Sequence, residues 1–125
     1  MNVKLDAKDI IEMIVEYYKV VKNLDVEIIK EFGANDYYGY GKEVKLYIKY
    51  QVGFGKYNAT GKDMLTNDDI IEVLNYFLKG NQKVDNIRLL IKENVTGYGY
   101  AENYDYVFDG INVEFKQKVK VKQFE

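Results

Sequence analysis

The sequence predicts an α+β domain of internally duplicated α-β-β-(β) units, with two helices packed on one face of a mainly antiparallel sheet. Three observations carry that reading. Two amphipathic stretches of helical period each open on an N-cap signature. Alternating apolar and polar runs follow each of them. The same residue types also recur sixty positions apart, densest at 5–12 against 65–72 and at 38–40 against 98–100.

The first helix is expected over about 7–22. Leu5, Asp6, Asp9 and Ile10 supply a hydrophobic N′ residue, an N-cap, an acidic N3 and an apolar N4. That pattern makes a near capping box with a hydrophobic staple, and the acids suit the helix dipole. Ile10, Ile11, Ile14, Tyr17, Tyr18 and Val21 form its apolar stripe. A half-buried strand follows, with Leu24, Val26, Ile28 and Phe32 alternating with Asp25, Glu27 and Glu31. Past a Tyr-Gly segment, "DYYGYGKE", a second run sets Val44, Leu46, Ile48, Tyr50 and Val52 on one face. Residues 53–62 read as a loop joining the halves, with room for a short strand.

The second half repeats the plan. Leu65, Thr66, Asp69 and Ile70 reproduce the helix start, and the helix is expected over about 67–79, ending at Gly80. Ile70, Ile71, Leu74, Phe77 and Leu78 point inward. Ile87, Leu89 and Ile91 share a strand face, although Leu90 blurs the alternation. A second Tyr-Gly segment precedes Tyr104, Tyr106 and Phe108, and Asp109-Gly110 reads as a two-residue hairpin turn. The last strand places Ile111, Val113, Phe115, Val119 and Val121 on one face. The whole is one domain, 1–125, with pseudo-repeats of about 1–60 and 61–125, and 125 residues can bury roughly two-thirds of the unfolded surface.

Composition narrows the chemistry. The chain has no His, Cys, Ser, Trp or Pro, and Arg88 is its one arginine. Triads built on Ser or Cys with His are therefore excluded, as are thiolate or imidazole metal sites and disulfides. Carboxylate chemistry stays open, but no EF-hand or phosphate-loop spacing supports it. The expectation is a non-enzyme with no cofactor and no metal. No basic and apolar leader opens the sequence and no apolar run suits a membrane span, so a cytoplasmic location is expected.

The tyrosines are the candidate binding residues. Tyr37, Tyr38, Tyr40, Tyr57, Tyr98 and Tyr100 fall in expected loops, where no core periodicity requires them. Tyrosine beside glycine suits recognition loops, and equally suits turns whose glycines adopt positive φ under packing tyrosines. Lys116, Lys118, Lys120 and Lys122 line one strand face as candidate phosphate contacts, or as lysines guarding a sheet edge. A net charge of −2 weighs against nucleic acid.

In size, AT-rich composition and lack of catalytic residues the chain is similar to small phage inhibitors of host defence, such as anti-CRISPR proteins. That resemblance implies a non-catalytic protein-binding module, an inhibitor or regulator of a host protein in a bacterial cell, acting through the Tyr/Gly loops. Doubled helix-plus-hairpin plans also occur in DNA sliding-clamp domains. Residues 1–22, however, carry four acids (Asp6, Asp9, Glu12, Glu16) against four lysines (Lys4, Lys8, Lys19, Lys22), which gives no basic inner face. The alternative reading is a small-ligand or nucleic-acid binder using the tyrosine loops and the lysine strand. A homodimer stays open.

Overall fold

The computed structural model describes residues 2–34, 42–54, 56–78, 82–97, 99 and 103–116. Its elements are β1 (Asn2–Leu5), α1 (Ala7–Val20), β2 (Glu27–Ala34), β3 (Lys42–Phe54), β4 (Tyr57–Met64), α2 (Asn67–Phe77), β5 (Val84–Thr96) and β6 (Asn103–Phe115). The class is α+β, and every strand pairing is antiparallel.

The helices form where the stripes place them. Ile10, Ile14 and Tyr17 of α1 are buried, as are Ile70, Val73 and Leu74 of α2. The two helices pack together, α1 against β6 and β2, α2 against β5. Val44, Leu46 and Ile48 of β3, with Ile87, Ile111 and Val113 of β5 and β6, complete one shared core. Two side chains of α2 also pin β5: Asn67 Nδ2 donates to the Ile87 carbonyl and Asn75 Oδ1 accepts from the Val84 N–H, both at 3.3 Å.

Several expectations need correction at the helix ends. Val21 and Leu78 do not join the stripes; they are 44% and 39% exposed, because each helix has ended and Leu78 carries a non-helical ψ of 79°. Val73, missing from the expected stripe, is fully buried. The capping box forms only in the second half. Thr66 Oγ1 accepts from the Asp69 N–H at 3.1 Å while Asp69 returns a bond to the Thr66 N–H at 2.8 Å. Asp6 sits in the same extended conformation but makes no side-chain cap bond. Thr66→Ala is therefore expected to cost about 1 kcal/mol, and Asp6→Ala no more than about 0.5 kcal/mol. Urea unfolding of the two variants checks the asymmetry.

The strands divide into two three-stranded sheets, ordered β1-β6-β5 and β2-β3-β4, where one sheet was expected. The reason is an exchange. β4, the strand leading into the second helix, pairs with β3 of the first half, and β1 pairs with β6 of the second. Each sheet is then complete at three strands, and β3 lies against β5 with no ladder between them. Substituting β4 for β1, β3 for β6 and β2 for β5 turns one strand order into the other. The match reaches single residues. Leu5 opposes Ile111 where β1 meets helix α1, and the Leu65 N–H bonds the Leu46 carbonyl at 2.8 Å where β4 meets α2. Each half thus has the order β-α-β-β; the leading strand of the second half falls partly where room for a short strand was expected at 53–62, and β1 was not expected. Duplication as the origin of this order is a proposal, resting on the sequence matches and the shared topology.

Asp109-Gly110 is not a hairpin turn. β6 runs straight through it, and the ladder slips there, with Leu90 opposite Gly110 and Ile91 opposite Phe108. Asp109 is the extra residue of a bulge, and Gly110 has φ of 108°. A bulge and a tight turn ask for the same positive-φ chemistry, so the dipeptide fits both. The slip also explains why Leu89, Leu90 and Ile91 are all half-buried. The connection from β5 to β6 is made instead by the second Tyr-Gly segment, where Gly97 and Gly99 have φ of 92° and 58°.

Candidate protein-binding surface

Only two of the sequence-chosen binding residues fall within the described residues. Tyr37, Tyr38, Tyr40, Tyr98 and Tyr100 lie outside them, as do Lys118, Lys120 and Lys122 and the expected strand residues Val119 and Val121. The Tyr-Gly segments join β2 to β3 and β5 to β6, which are corresponding strand pairs. Lys116 is exposed, and its N–H donates to the Lys83 carbonyl at 2.8 Å, extending the β5–β6 ladder by one bond. One described lysine makes no strip.

Tyr57 is placed differently from expectation. It opens β4, not a loop, and it is 84% exposed. β2 stops pairing at Glu27–Lys49, whereas the β3–β4 ladder runs on unbroken to Phe54–Tyr57. Residues 50–54 and 57–61 therefore form a two-stranded ribbon that runs on past the end of β2. Period-two alternation carries along it. Tyr50 and Val52 share a face with buried Val44, Leu46 and Ile48, and their partners Gly61 and Ala59 lie on that same face, as does Tyr57. Over the body of the domain this face is buried in the shared core. On the ribbon, Val52 is 48% exposed and Tyr57 stands almost free.

Local packing fixes the ribbon's base. Tyr50 lies flat over Gly61, so close that a Cβ at Gly61 would sit 2.4 Å from the ring. Only glycine leaves room for this aromatic lid. The Tyr50 hydroxyl donates to Asp63 at 2.7 Å, and that bond, with partial desolvation, holds the phenol above the ordinary tyrosine value of 10.0. On the opposite face Gln51 Nε2 donates to Thr60 Oγ1 at 3.2 Å. Further along that face Lys62 reaches across β3, its ammonium 4.5 Å above the Tyr47 ring, to pair with Glu31 of β2. The hydrogen bond from Lys62 draws the Glu31 carboxyl below the usual carboxylate range. One face of the ribbon is thus aromatic and apolar, and the other is polar with its charges paired.

Among the described residues no three carboxylates could hold a metal ion. The Tyr17 phenol is raised first by burial and then by its bond to Glu72, and Tyr18 is raised mainly by burial. Both belong to the aromatic seam between helices, where Tyr17 meets Tyr76 edge-on at 5.4 Å. Open depressions of about 270, 260 and 170 Å³ lie beside Arg88, Lys49 and Lys45. Ligand sites for drug-sized molecules run from roughly 300 Å³ upward and are concave and apolar. No described helix is long and apolar enough to cross a membrane.

A signal for the ribbon was present in the sequence. The alternation of 44–52 continues to Phe54, then two residues intervene before Tyr57 and Ala59. Weak hydrophobicity past Gly53 hides it, because this stretch is exposed on both faces. No family model, no curated protein and no solved structure matches the chain.

Proposed function

We propose that the chain is a non-catalytic protein-binding module that takes its partner on the apolar face of the β3–β4 ribbon, with Tyr57 as the anchor. One observation carries this reading. A tyrosine 84% exposed stands on a face that elsewhere is core, one same-face position along the ribbon from the Val52–Ala59 pair and two from Tyr50–Gly61. Tyrosine is among the residues that dominate binding energy at interfaces, since it gives large contact area and a hydroxyl for little lost rotamer freedom. The kind of partner rests on the sequence alone. A low-GC composition and the lack of Ser, Cys and His fit an inhibitor or regulator of a host protein, of the phage or mobile-element type.

The test is a partner captured from a low-GC bacterial lysate and then titrated against purified variants. Tyr57→Ala is expected to weaken binding by about 2 kcal/mol, roughly 30-fold, with the melting temperature unchanged. Affinity should also hold between about 50 and 200 mM salt, where phosphate contacts would lose several orders of magnitude. Unchanged binding by Tyr57→Ala would remove the anchor. A steep salt loss would turn the reading toward nucleic acid.

A further inference from the structure

The outer edge of β4 has no partner strand among the described residues; β4 bonds β3 alone, at the end of its sheet. The Leu65 N–H bonds Leu46, so in this unbroken ladder the odd residues of β4 turn their backbone groups toward β3. Asn58, Thr60, Lys62 and Met64 turn theirs outward. None is proline, so each presents both an N–H and a C=O.

Natural edge strands are usually blunted by bulges, prolines, inward charges or shortness. The other described edges show such devices. β1 has four residues, β5 has two register breaks, and β2 carries Glu27 and Lys30. β4 runs eight residues with no bulge and no proline. Its one lysine is drawn away from the edge, across β3 to Glu31, and its one carboxylate, Asp63, is engaged by Tyr50.

We infer that β4 pairs antiparallel with β4 of a second copy of this chain, about a two-fold axis at Thr60. Self-pairing suits the residue order. Thr60 meets Thr60, and Asn58 meets Lys62 on the same face. On the other face Ala59 meets Gly61, and Tyr57 meets Asp63. No like charges oppose each other, and a threonine pair is a favourable cross-strand neighbour. Three hydrogen-bonded pairs, each exchanging two bonds, give about six inter-chain bonds. The result is a continuous six-stranded sheet, β2-β3-β4-β4-β3-β2. A two-fold axis normal to the sheet puts both apolar ribbon faces on one side, so the proposed partner surface is doubled and not consumed.

The test is the mass of the full chain in solution. Sedimentation velocity from about 1 μM to 1 mM is expected to show a dimer of the 14.7 kDa chain. Thr60→Lys, which sets two lysines together on the axis, should be monomeric, with a melting temperature equal to that of the wild type at concentrations where the wild type is itself dissociated. Thr60→Pro, which removes an outward N–H without touching the β3 ladder, should behave alike. Thr60→Cys reports position. The chain has no other cysteine, and paired Cα atoms about 5.5 Å apart are within disulfide reach. Oxidation should give a covalent dimer, while Lys30→Cys on the β2 edge should not. A wild-type monomer at 1 mM overturns the inference, as does a dimer that survives Thr60→Lys or one cross-linked equally by Lys30→Cys. Partner binding by Tyr57 is read separately, by titration, and can hold whichever mass is found.

Discussion

Gly110→Ala is expected to destabilise the protein by about 3 kcal/mol, the sum of a disfavoured backbone and a backbone collision. The φ of 108° is one that residues with a Cβ rarely adopt. A Cβ there would also sit 2.0 Å from the Leu5 carbonyl oxygen and 3.1 Å from the Ala7 nitrogen. Neither neighbour is a side-chain tip that can swing aside. Leu5 is bonded into the β1–β6 ladder and Ala7 begins α1. The bulge therefore brings three segments together, and only hydrogen fits between them. The Lys4–Asp109 ion pair at 3.0 Å decorates the same junction but is exposed, so its loss should matter by no more than about 1 kcal/mol. Gly33→Ala is the matched control. It is also a strand glycine, but no atom lies within 4 Å of its Cβ position, and its change should stay within about 1 kcal/mol. Urea midpoints at constant m-value separate the two. Equal effects would show that the close approach is not what Gly110 supplies.

Leu46→Ala and Ile111→Ala should each cost about 2–5 kcal/mol, the range for truncating a fully buried aliphatic residue. Both residues are wholly inaccessible. They occupy corresponding places, each opposite the leucine that ends a leading strand, Leu65 or Leu5. Truncation there opens a cavity beneath a helix N-terminus, where neither sheet nor helix can move in without breaking the ladder. Guanidinium unfolding of both variants checks the range. A loss under about 1 kcal/mol at either position would mean that its half of the core repacks freely.

Much of the body was legible because burial imposes a period. The stripes of Ile10, Ile14 and Tyr17, and of Ile70 and Leu74, placed both helices, and Val44, Leu46 and Ile48 placed a strand face. What failed to show was whatever burial does not pattern. β1 is four residues long, too short for alternation to differ from chance. β4 is exposed on both faces and so carries no hydrophobic period. Without those two strands the exchange that makes two sheets could not be read. Asp109-Gly110 misled for another reason, since turn and bulge share one residue chemistry and differ only in whether a partner strand continues. Asp6 and Thr66 share a helix-start pattern, and only one forms its box. Among the site residues Tyr57 was singled out as a loop tyrosine, and its significance comes instead from standing on a strand face that continues the core.

The strand exchange also sets an order of assembly. Every strand of the β2-β3-β4 sheet lies within residues 27–64, so its hairpins close over short stretches of chain. β1 is different: Asn2 opposes Glu114. A chain emerging from the ribosome holds its first strand unpaired until that partner arrives, and closing so long a loop is entropically slow. The helix that follows β1 has nowhere to dock completely before then, because α1 packs on β6 as well as on β2. Residues 2–5 are thus made well before β6 but placed only with it, and a chain that stops short of β6 leaves both β1 and the β6-facing side of α1 bare.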